Sequence, residues 1–301
     1  MSKAAVLGGG GPVGIAWQAG LIVGLAQLGV DLGKADLVVG TSAGSVVGLL
    51  LASGGDLTAV STMLSDGPSP PGEAAPAIES SVANADRALL DGAGAAAVAD
   101  LAQDPARAAK ARSALGAAAL NAPTIPTSEW LARFDLFAGI EWPASYRCCS
   151  VDAEDGTFRV WGPSDGVATH LAVAASCAVP LLYPPVRLAD RYWIDGGVRD
   201  MLNADVAVGS RVAVVVSCTL LELPWQLPIP FLEALLAATR QRVGALTAQA
   251  RSVVTVVPGA EMLQVSEWGL ALMDFGRTEA AYQAGLNQAT AEAERLRPDW
   301  T

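Results

Sequence analysis

The segment "LVVGTSAGSVVG" at residues 37–48 constrains this chain most, because Ser42 stands between two glycines directly after an apolar run. The apolar run predicts a buried strand, and the residues after the serine predict a helix that closes at a pair of glycines. A sharp turn between them would expose the Ser42 hydroxyl, and a side chain at Gly40 or Gly44 would clash across the corner. A serine in an ordinary turn has the same local pattern, so the assignment of Ser42 as a nucleophile depends on other residues.

The first 55 residues alternate between strand and helix patterns. "KAAVL" and "ADLVVG" predict strands, whereas "IAWQAGLIVGLAQLG" and "AGSVVGLLLASGG" predict helices. Two successive strand–loop–helix units are typical of a parallel sheet in an α/β domain. The first helix is apolar on most of its faces, which indicates that it is buried.

The loop "GGGGPVG" at residues 8–14 follows the first strand and contains glycines with the spacing G-x-G-x-x-G. That spacing also occurs in dinucleotide-binding loops, which require an acidic residue at the end of the next strand to bind the ribose. The next strand ends in the serine turn instead, so the nucleotide hypothesis fails. The remaining role is a row of backbone N–H groups that bind an oxyanion. Gly9, Gly10 and Gly11 are the candidate donors, because Pro12 has no N–H.

A serine nucleophile needs a base, and the sequence offers one histidine and one well-placed acid. His170 in "GVATHLAVAAS" lies near a predicted helix start and precedes the acid in the chain, so we interpret it as structural. Asp195 in "YWIDGGV" ends an apolar strand and is followed by Gly196 and Gly197. An isolated Asp-Gly pair is commonly a turn. A carboxylate within hydrogen-bonding distance of a serine can nevertheless accept its proton, and apolar walls would raise its pKa toward neutrality.

The composition argues against several classes of function. The chain of 301 residues is 52% hydrophobic and 16% charged, its net charge is −11, and no run of Lys or Arg is present. This balance argues against nucleic acid binding and disfavours tight docking on anionic lipid. No segment predicts a membrane span or a signal peptide, which favours a cytoplasmic globular protein and leaves transient, peripheral contact with a membrane open. The four cysteines fit neither zinc nor disulfide spacing and are expected in the core.

The middle of the chain differs in composition from both ends. Residues 65–126 are rich in Ala, Pro and Ser, and "AGAAAVADLAQDPARAAKARSALGAAAL" is strongly helix-forming. We predict a helical insertion or lid there, without catalytic side chains, inside one domain that spans residues 1–301. Beyond it, "YRCCSVDAEDGTFRVWG" predicts two strands around an Asp-Gly turn, and "RVAVVVSC" and "VVTVVPG" predict buried strands.

Three of these features together resemble the patatin-like phospholipase family. They are the glycine loop at residues 9–14, the serine turn at residues 40–44 and the Asp-Gly-Gly turn at residues 195–197. The stretch "AASCAVPLLYPPVRLADRYWIDGG" is also similar to the segment that leads into the acid of this family. The resemblance covers residues 3–60 and 145–220.

The resemblance implies a three-layer α/β/α fold with a mostly parallel central sheet, no metal, no cofactor, and lipid acyl esters as substrates. It also implies a catalytic dyad in which Ser42 forms the acyl-enzyme and Asp195 acts as the base. The sequence departs from the family at Val13, where Arg or Lys often precedes the last glycine of the loop. This departure favours neutral acyl esters or acyl transfer to an acceptor other than water. The alternatives to a lipid hydrolase are therefore an acyltransferase with the same acyl-enzyme and a non-catalytic lipid-binding module.

Overall fold

A mixed sheet of eight strands organises the part of the chain that the computed structural model describes, residues 2–65, 105–222 and 230–300. The strands are β1 (Lys3–Leu7), β2 (Leu37–Thr41), β3 (Tyr146–Asp152), β4 (Phe158–Trp161), β5 (Val186–Leu188), β6 (Arg191–Asp195), β7 (Val212–Val216) and β8 (Ser252–Val256). Their order is β5-β6-β3-β2-β1-β7-β8, and β4 pairs with β3. Strands β3, β2, β1, β7 and β8 run parallel, whereas β4 and β6 pair antiparallel with β3, and β5 pairs antiparallel with β6.

Strand β1 shows that both faces of the sheet are covered. Ala5 and Leu7 belong to one hydrophobic core, and Ala4 and Val6 belong to another, because successive side chains of a strand lie on opposite faces. All four residues are fully buried. The continuous apolar run of β1 therefore reflects a parallel strand buried on both sides.

Helices form the outer two layers. In chain order they are α1 (Gly11–Gln27), α2 (Ala43–Ser53), α3 (Val60–Ser65), α4 (Pro105–Leu120), α5 (Thr127–Ala132), α6 (Thr169–Ser176), α7 (Pro230–Gln249), α8 (Ala260–Val265) and α9 (Thr278–Trp300). Trp17 of α1, Leu49 of α2 and Ala281 of α9 belong to the first core, whereas Leu246 of α7 belongs to the second. This arrangement confirms the predicted three-layer α/β/α fold.

Helix α1 is the apolar helix that the sequence predicts, and it packs closely against α9. It begins at Gly11, inside the glycine loop, rather than at Ile15 where the apolar pattern begins. A Cβ at Gly20 would overlap the backbone carbonyl of Tyr282 in α9, so the missing side chain is what lets the two helices approach. Burial between the sheet and α9 accounts for the apolar character of α1. Among the described residues, no helix combines the length and the apolar composition that a membrane span requires.

Part of the predicted insertion lies among the described residues. Helix α4 forms within the helix-forming stretch and packs on the β3–β4 turn, where Arg112 Nε donates to the Gly156 carbonyl at 2.7 Å and Ser113 Oγ donates to the Glu154 carbonyl at 2.7 Å. Residues 66–104, which make up most of the predicted insertion, lie outside the described residues. The organisation as one domain with a helical insertion stays a prediction.

The register of the sheet brings the C-terminal ends of β2 and β6, which are far apart in the chain, next to each other. Thr41, the last residue of β2, pairs with Cys149 of β3. The next residue of β3, Ser150, pairs with Asp195 at the end of antiparallel β6. Because β2 ends at this point and β6 runs toward it, the residue after Thr41 and the end of β6 lie side by side.

Candidate active site

Ser42 occupies the sharp turn between β2 and α2. Its backbone has φ 52° and ψ −120°, a conformation that residues other than glycine rarely adopt. A Cβ on Gly40 would lie 2.5 Å from the Gly44 carbonyl oxygen, and a Cβ on Gly44 would overlap the backbone of Leu7 in β1. The two flanking glycines are therefore required by close backbone approach, as the G-x-S-x-G pattern predicts.

Hydrogen bonds hold this strained residue from both sides. The Ser42 N–H donates to Ser176 Oγ at 2.9 Å. The Ser42 carbonyl accepts from Ser45 Oγ at 2.6 Å and from Cys177 Sγ at 3.3 Å. Since its backbone groups are satisfied in a buried environment, the turn is fixed with the side chain toward the clefts described below.

Asp195 lies beside Ser42 and is only 4% exposed. Its carboxylate accepts a hydrogen bond from the Gly197 N–H at 2.7 Å, and the Ser42 hydroxyl lies close enough to lower the pKa of this carboxyl group. Burial raises the pKa of Asp195 to about 7, and the Ser42 hydroxyl and the Gly197 N–H oppose this rise without cancelling it. A carboxyl group of this kind can take up and release a proton near neutral pH.

The Asp-Gly-Gly turn is fixed by its neighbours. A Cβ on Gly196 would lie 2.5 Å from the Cys149 carbonyl oxygen, and one on Gly197 would lie 3.0 Å from Asp195 Oδ1. Buried Asn203 donates from Nδ2 to Thr41 Oγ1 at 3.1 Å and to the Gly196 carbonyl at 3.3 Å. Asn203 therefore links the end of β2 to the turn that carries the acid.

The glycine loop lies against Ser42, but its three candidate donors differ in whether the amide already has a hydrogen-bond partner. The Gly9 N–H donates to the Met201 carbonyl at 2.8 Å, so this amide already has a partner. Gly10 and Gly11 stand at the N-terminus of α1, where the first amides of a helix lack intrahelical acceptors. Within the described residues, neither amide has a hydrogen-bond partner. The donors available for an oxyanion are thus Gly10 and Gly11.

Val13 and His170 lie away from this chemistry. The Val13 side chain is fully buried in the first core, so the position where the family often has a cation points away from solvent. His170 stands in the first turn of α6 and lines neither of the clefts at Ser42.

Two clefts meet at Ser42. The first has a volume of 340 Å³ and is walled mainly by apolar side chains, among them Ile15, Val46, Phe134 and Phe137. The second has a volume of 520 Å³ and is lined by Asp195, Gly10 and Gly197 together with apolar residues and three arginines. An elongated amphiphilic molecule could therefore place a central reactive group at Ser42 and one end in each cleft.

Sequence reasoning missed Ser176, Asn203 and the arginines of the second cleft. Ser176 lies in the stretch "AASCAVP", which is similar to a segment of the family, but no sequence pattern indicated a role for this serine. Asn203 carries a left-handed backbone conformation (φ 51°) that no sequence pattern indicated. Arg112 lies in the Ala-rich segment, which the sequence predicted to be without catalytic side chains.

Of the comparisons with known proteins, the match to a family model identifies the family of this chain. No curated protein matches the sequence significantly. Among solved structures, VipD from Legionella pneumophila is similar with a TM-score of 0.41 and 15% sequence identity, covering 99% of this chain and 75% of that chain. The family model of the patatin-like phospholipase matches residues 5–208, which is more than half of the chain. With this match, the chain belongs to the patatin-like phospholipase family.

Proposed function

We propose that the protein is a serine acyl hydrolase that cleaves acyl esters of lipids, with Ser42 as the nucleophile and Asp195 as the general base. The observation that carries the proposal is that the Ser42 hydroxyl lies beside the buried Asp195 carboxylate in the second cleft and lowers the pKa of that carboxyl group. These two residues are 153 positions apart in the chain and both are buried, Ser42 where the two clefts meet and Asp195 in the second cleft. Membership of a lipid-hydrolysing family supports the substrate class.

In the first half-reaction, Ser42 Oγ attacks the ester carbonyl carbon while its proton passes to Asp195. The tetrahedral intermediate collapses, the bond from carbon to the leaving oxygen breaks, and Asp195 gives the proton to that oxygen. The products are a free alcohol and an acyl-Ser42 ester. Water then attacks this ester, Asp195 takes a proton from the water, and the proton returns to Ser42 Oγ as the fatty acid leaves.

The negative charge of each tetrahedral intermediate would be bound by the amides of Gly10 and Gly11. Both residues line the second cleft together with Ser42, and the N-terminus of α1 adds its partial positive charge. The donor set proposed from the structure is smaller than the sequence predicted, because the Gly9 N–H is bonded to the Met201 carbonyl.

The position of Asp195 supports an assignment of the two clefts to the two parts of the substrate. The proton donor must reach the leaving oxygen, and Asp195 lines the second cleft but not the first. The leaving alcohol therefore belongs in the second cleft, and the acyl chain belongs in the apolar first cleft.

An exposed apolar tip beside the second cleft supports contact with a lipid surface. Leu270 is 89% exposed and Trp268 is 50% exposed, and Leu270 also lines the cleft. A large apolar side chain in water at the mouth of a cleft is typical of a surface that meets lipid or another apolar partner. We infer that this tip rests on the lipid aggregate that supplies the substrate.

Turnover of p-nitrophenyl esters of several chain lengths tests the proposal. Ser42→Ala should abolish turnover and Asp195→Asn should remove most of it, whereas Ser53→Ala, at the distant end of α2, should leave it unchanged. Equal turnover by Ser42→Ala and the wild-type protein would refute the proposed nucleophile. Product analysis with glycerol present separates a hydrolase from an acyltransferase, because an acyltransferase would form the glycerol ester rather than the free acid.

A further inference from the structure

A fully buried glutamine lies beneath the glycine loop. Gln18 stands in the second turn of α1, and its neighbours in the chain, Trp17 and Ala19, are apolar and fully buried as well. Gln18 lines neither of the clefts at Ser42. An amide group in such apolar surroundings is costly unless it is hydrogen-bonded, so its partners indicate what it does.

The Gln18 amide joins the two ends of the glycine loop. Its Nε2 donates to the Gly8 carbonyl at 3.0 Å and to the Gly14 carbonyl at 3.2 Å. These two glycines are the first and the last residue of the segment "GGGGPVG". Nε2 also lies 3.1 Å from Cys218 Sγ, an atom that a Cβ on Gly10 or Gly14 would overlap. The inner side of the loop therefore packs directly on this glutamine and this cysteine.

The Gly8 carbonyl connects Gln18 to the turn that carries Ser42. It accepts a second hydrogen bond, at 3.0 Å, from the Gly44 N–H in the first turn of α2. Because a carbonyl oxygen has two lone pairs, both bonds can form together. Gln18 and the serine turn are thus joined through a single oxygen atom, and a shift of Gly8 would move the glycine loop relative to Ser42.

The bonds within the loop decide where its free amides point. The C=O and N–H groups of a trans peptide point in opposite directions, and the described residues contain no cis peptide. The Gly10 carbonyl accepts from the Gly14 N–H at 2.8 Å, so it points along α1. The Gly11 N–H of the same peptide therefore points out of the helix at its N-terminus, where Gly11 lines both clefts. Its direction depends on Gly14, whose carbonyl is held by Gln18.

The glutamine also carries a cost. The orientation of its amide is fixed, because the opposite one would place Oε1 against two carbonyl oxygens. In the observed orientation Oε1 is buried and has no hydrogen-bond partner within the described part of the chain. An apolar side chain at this position would avoid the unpaired acceptor. A polar residue kept in a core despite such a conflict is typical of residues that support a functional site.

We propose that Gln18 is a positioning residue that holds the glycine loop so that the amides of Gly10 and Gly11 face the oxyanion formed at Ser42. The inference rests on the proposed function and adds to it a residue that acts only through the loop. Because the negative charge develops in the transition state and is absent from the bound ester, loss of Gln18 should slow the reaction without weakening substrate binding.

Turnover of p-nitrophenyl hexanoate by Gln18→Met tests the proposal. Methionine has a similar length and no N–H donor, and the Gly8 carbonyl would keep the Gly44 N–H as a partner. We expect kcat to fall by about tenfold to hundredfold, less than for removal of a direct oxyanion donor, and KM to stay within about twofold. Gln27→Met replaces an exposed glutamine at the end of the same helix, is the matched control, and should change neither constant. An unchanged kcat in Gln18→Met would overturn the proposal.

Two inhibitors separate positioning of the loop from a general distortion of the site. A hexyl trifluoromethyl ketone forms an oxyanion when Ser42 adds to it, whereas hexanoate binds without this step. Gln18→Met should weaken inhibition by the ketone about as much as it lowers kcat and leave inhibition by hexanoate unchanged. Equal weakening of both inhibitors would overturn the proposal. So would a shift of the inflection in the pH–rate profile, because it would show that the substitution acts on Asp195 instead.

Stability measurements distinguish a positioning role from a structural one. The midpoint of urea unfolding should change little in Gln18→Met, because the substitution also removes the unpaired Oε1. A large fall of the midpoint would assign Gln18 to stability alone and overturn the proposal. Gln18→Glu keeps the side-chain volume and, as a buried neutral acid, one donor, so it should recover part of the lost kcat. No recovery in a folded Gln18→Glu protein would also count against the hydrogen bonds to the loop.

Failure of this inference and failure of the proposed function give different results. Turnover that depends on Ser42 but is equal in Gln18→Met and the wild type would overturn the role of Gln18 and leave the hydrolase standing. Equal turnover by Ser42→Ala and the wild type would overturn the proposed function itself, whatever Gln18→Met does.

Discussion

Ionisation of Asp195 should destabilise the folded protein, and replacing Asp195 by asparagine should remove this effect. Burial raises the pKa of this carboxyl group from its ordinary value of 3.8 to about 7. Because the folded pKa is the higher one, the neutral acid contributes its full stability below about pH 4, and that contribution is lost as the pH rises to about 7. A pKa difference of this size corresponds to about 4 kcal/mol of unfolding free energy.

Urea unfolding of the wild type and of Asp195→Asn over a range of pH measures this effect. The asparagine stays neutral, so the variant should gain stability relative to the wild type by about 2–3 kcal/mol between about pH 5 and about pH 8. Asp190→Asn, at an exposed loop position, is the control for a general effect of charge. A stability difference between Asp195→Asn and wild type that does not change with pH would refute the buried environment assigned to Asp195.

The same ionisation should govern catalysis in the opposite direction. The carboxylate form of Asp195 accepts the Ser42 proton, so kcat/KM should rise about tenfold per pH unit below the pKa and level off above about pH 7. The protein would thus become more active over the range in which it becomes less stable. A rate profile without an inflection near neutrality would show that another group acts as the base.

Three further outcomes follow from the packing. Gly44→Ala would place a Cβ on the backbone of Leu7 and should lower the free energy of unfolding by about 3 kcal/mol or more. A Cβ at Gly244 in α7 would contact no other atom, so Gly244→Ala should raise the free energy of unfolding by about 0.5–1 kcal/mol in the same urea titration. Leu270→Asp should slow hydrolysis of esters in zwitterionic vesicles and leave hydrolysis of monomeric esters unchanged. Equal rates of the variant and the wild type on vesicles would argue against contact between the exposed apolar tip and lipid. All four cysteines, Cys148, Cys149, Cys177 and Cys218, are buried, and burial raises the pKa of each thiol. A thiol reagent should therefore react with the protein unfolded in urea but not with the native protein. Rapid labelling of the native protein would contradict the packing around these cysteines.

Features that depend on neighbouring residues could be predicted from the sequence. The apolar run before Ser42 and the glycines around it specify a strand, a tight turn and a helix, and each of these is observed. The layered α/β architecture follows from the same alternation of strands and helices. These predictions succeed because backbone sterics and hydrophobic periodicity act over a few residues.

Three contacts at the site that join residues far apart in the chain could not be predicted from local sequence patterns. The bond from the Ser42 N–H to Ser176 and the bond from Asn203 to Thr41 exist only because the sheet register brings these residues together. The partner of the Gly9 amide is likewise a carbonyl distant in the chain, and no local pattern could reveal that this donor is occupied.

Mapping the site of covalent modification by a fluorophosphonate tests the dyad most directly. Intact-mass measurement followed by peptide sequencing should find one adduct on Ser42 in the wild-type protein, none in Ser42→Ala, and slow formation in Asp195→Asn. An adduct on another residue, or equal labelling of the wild type and Ser42→Ala, would contradict the assignment of Ser42 as the nucleophile.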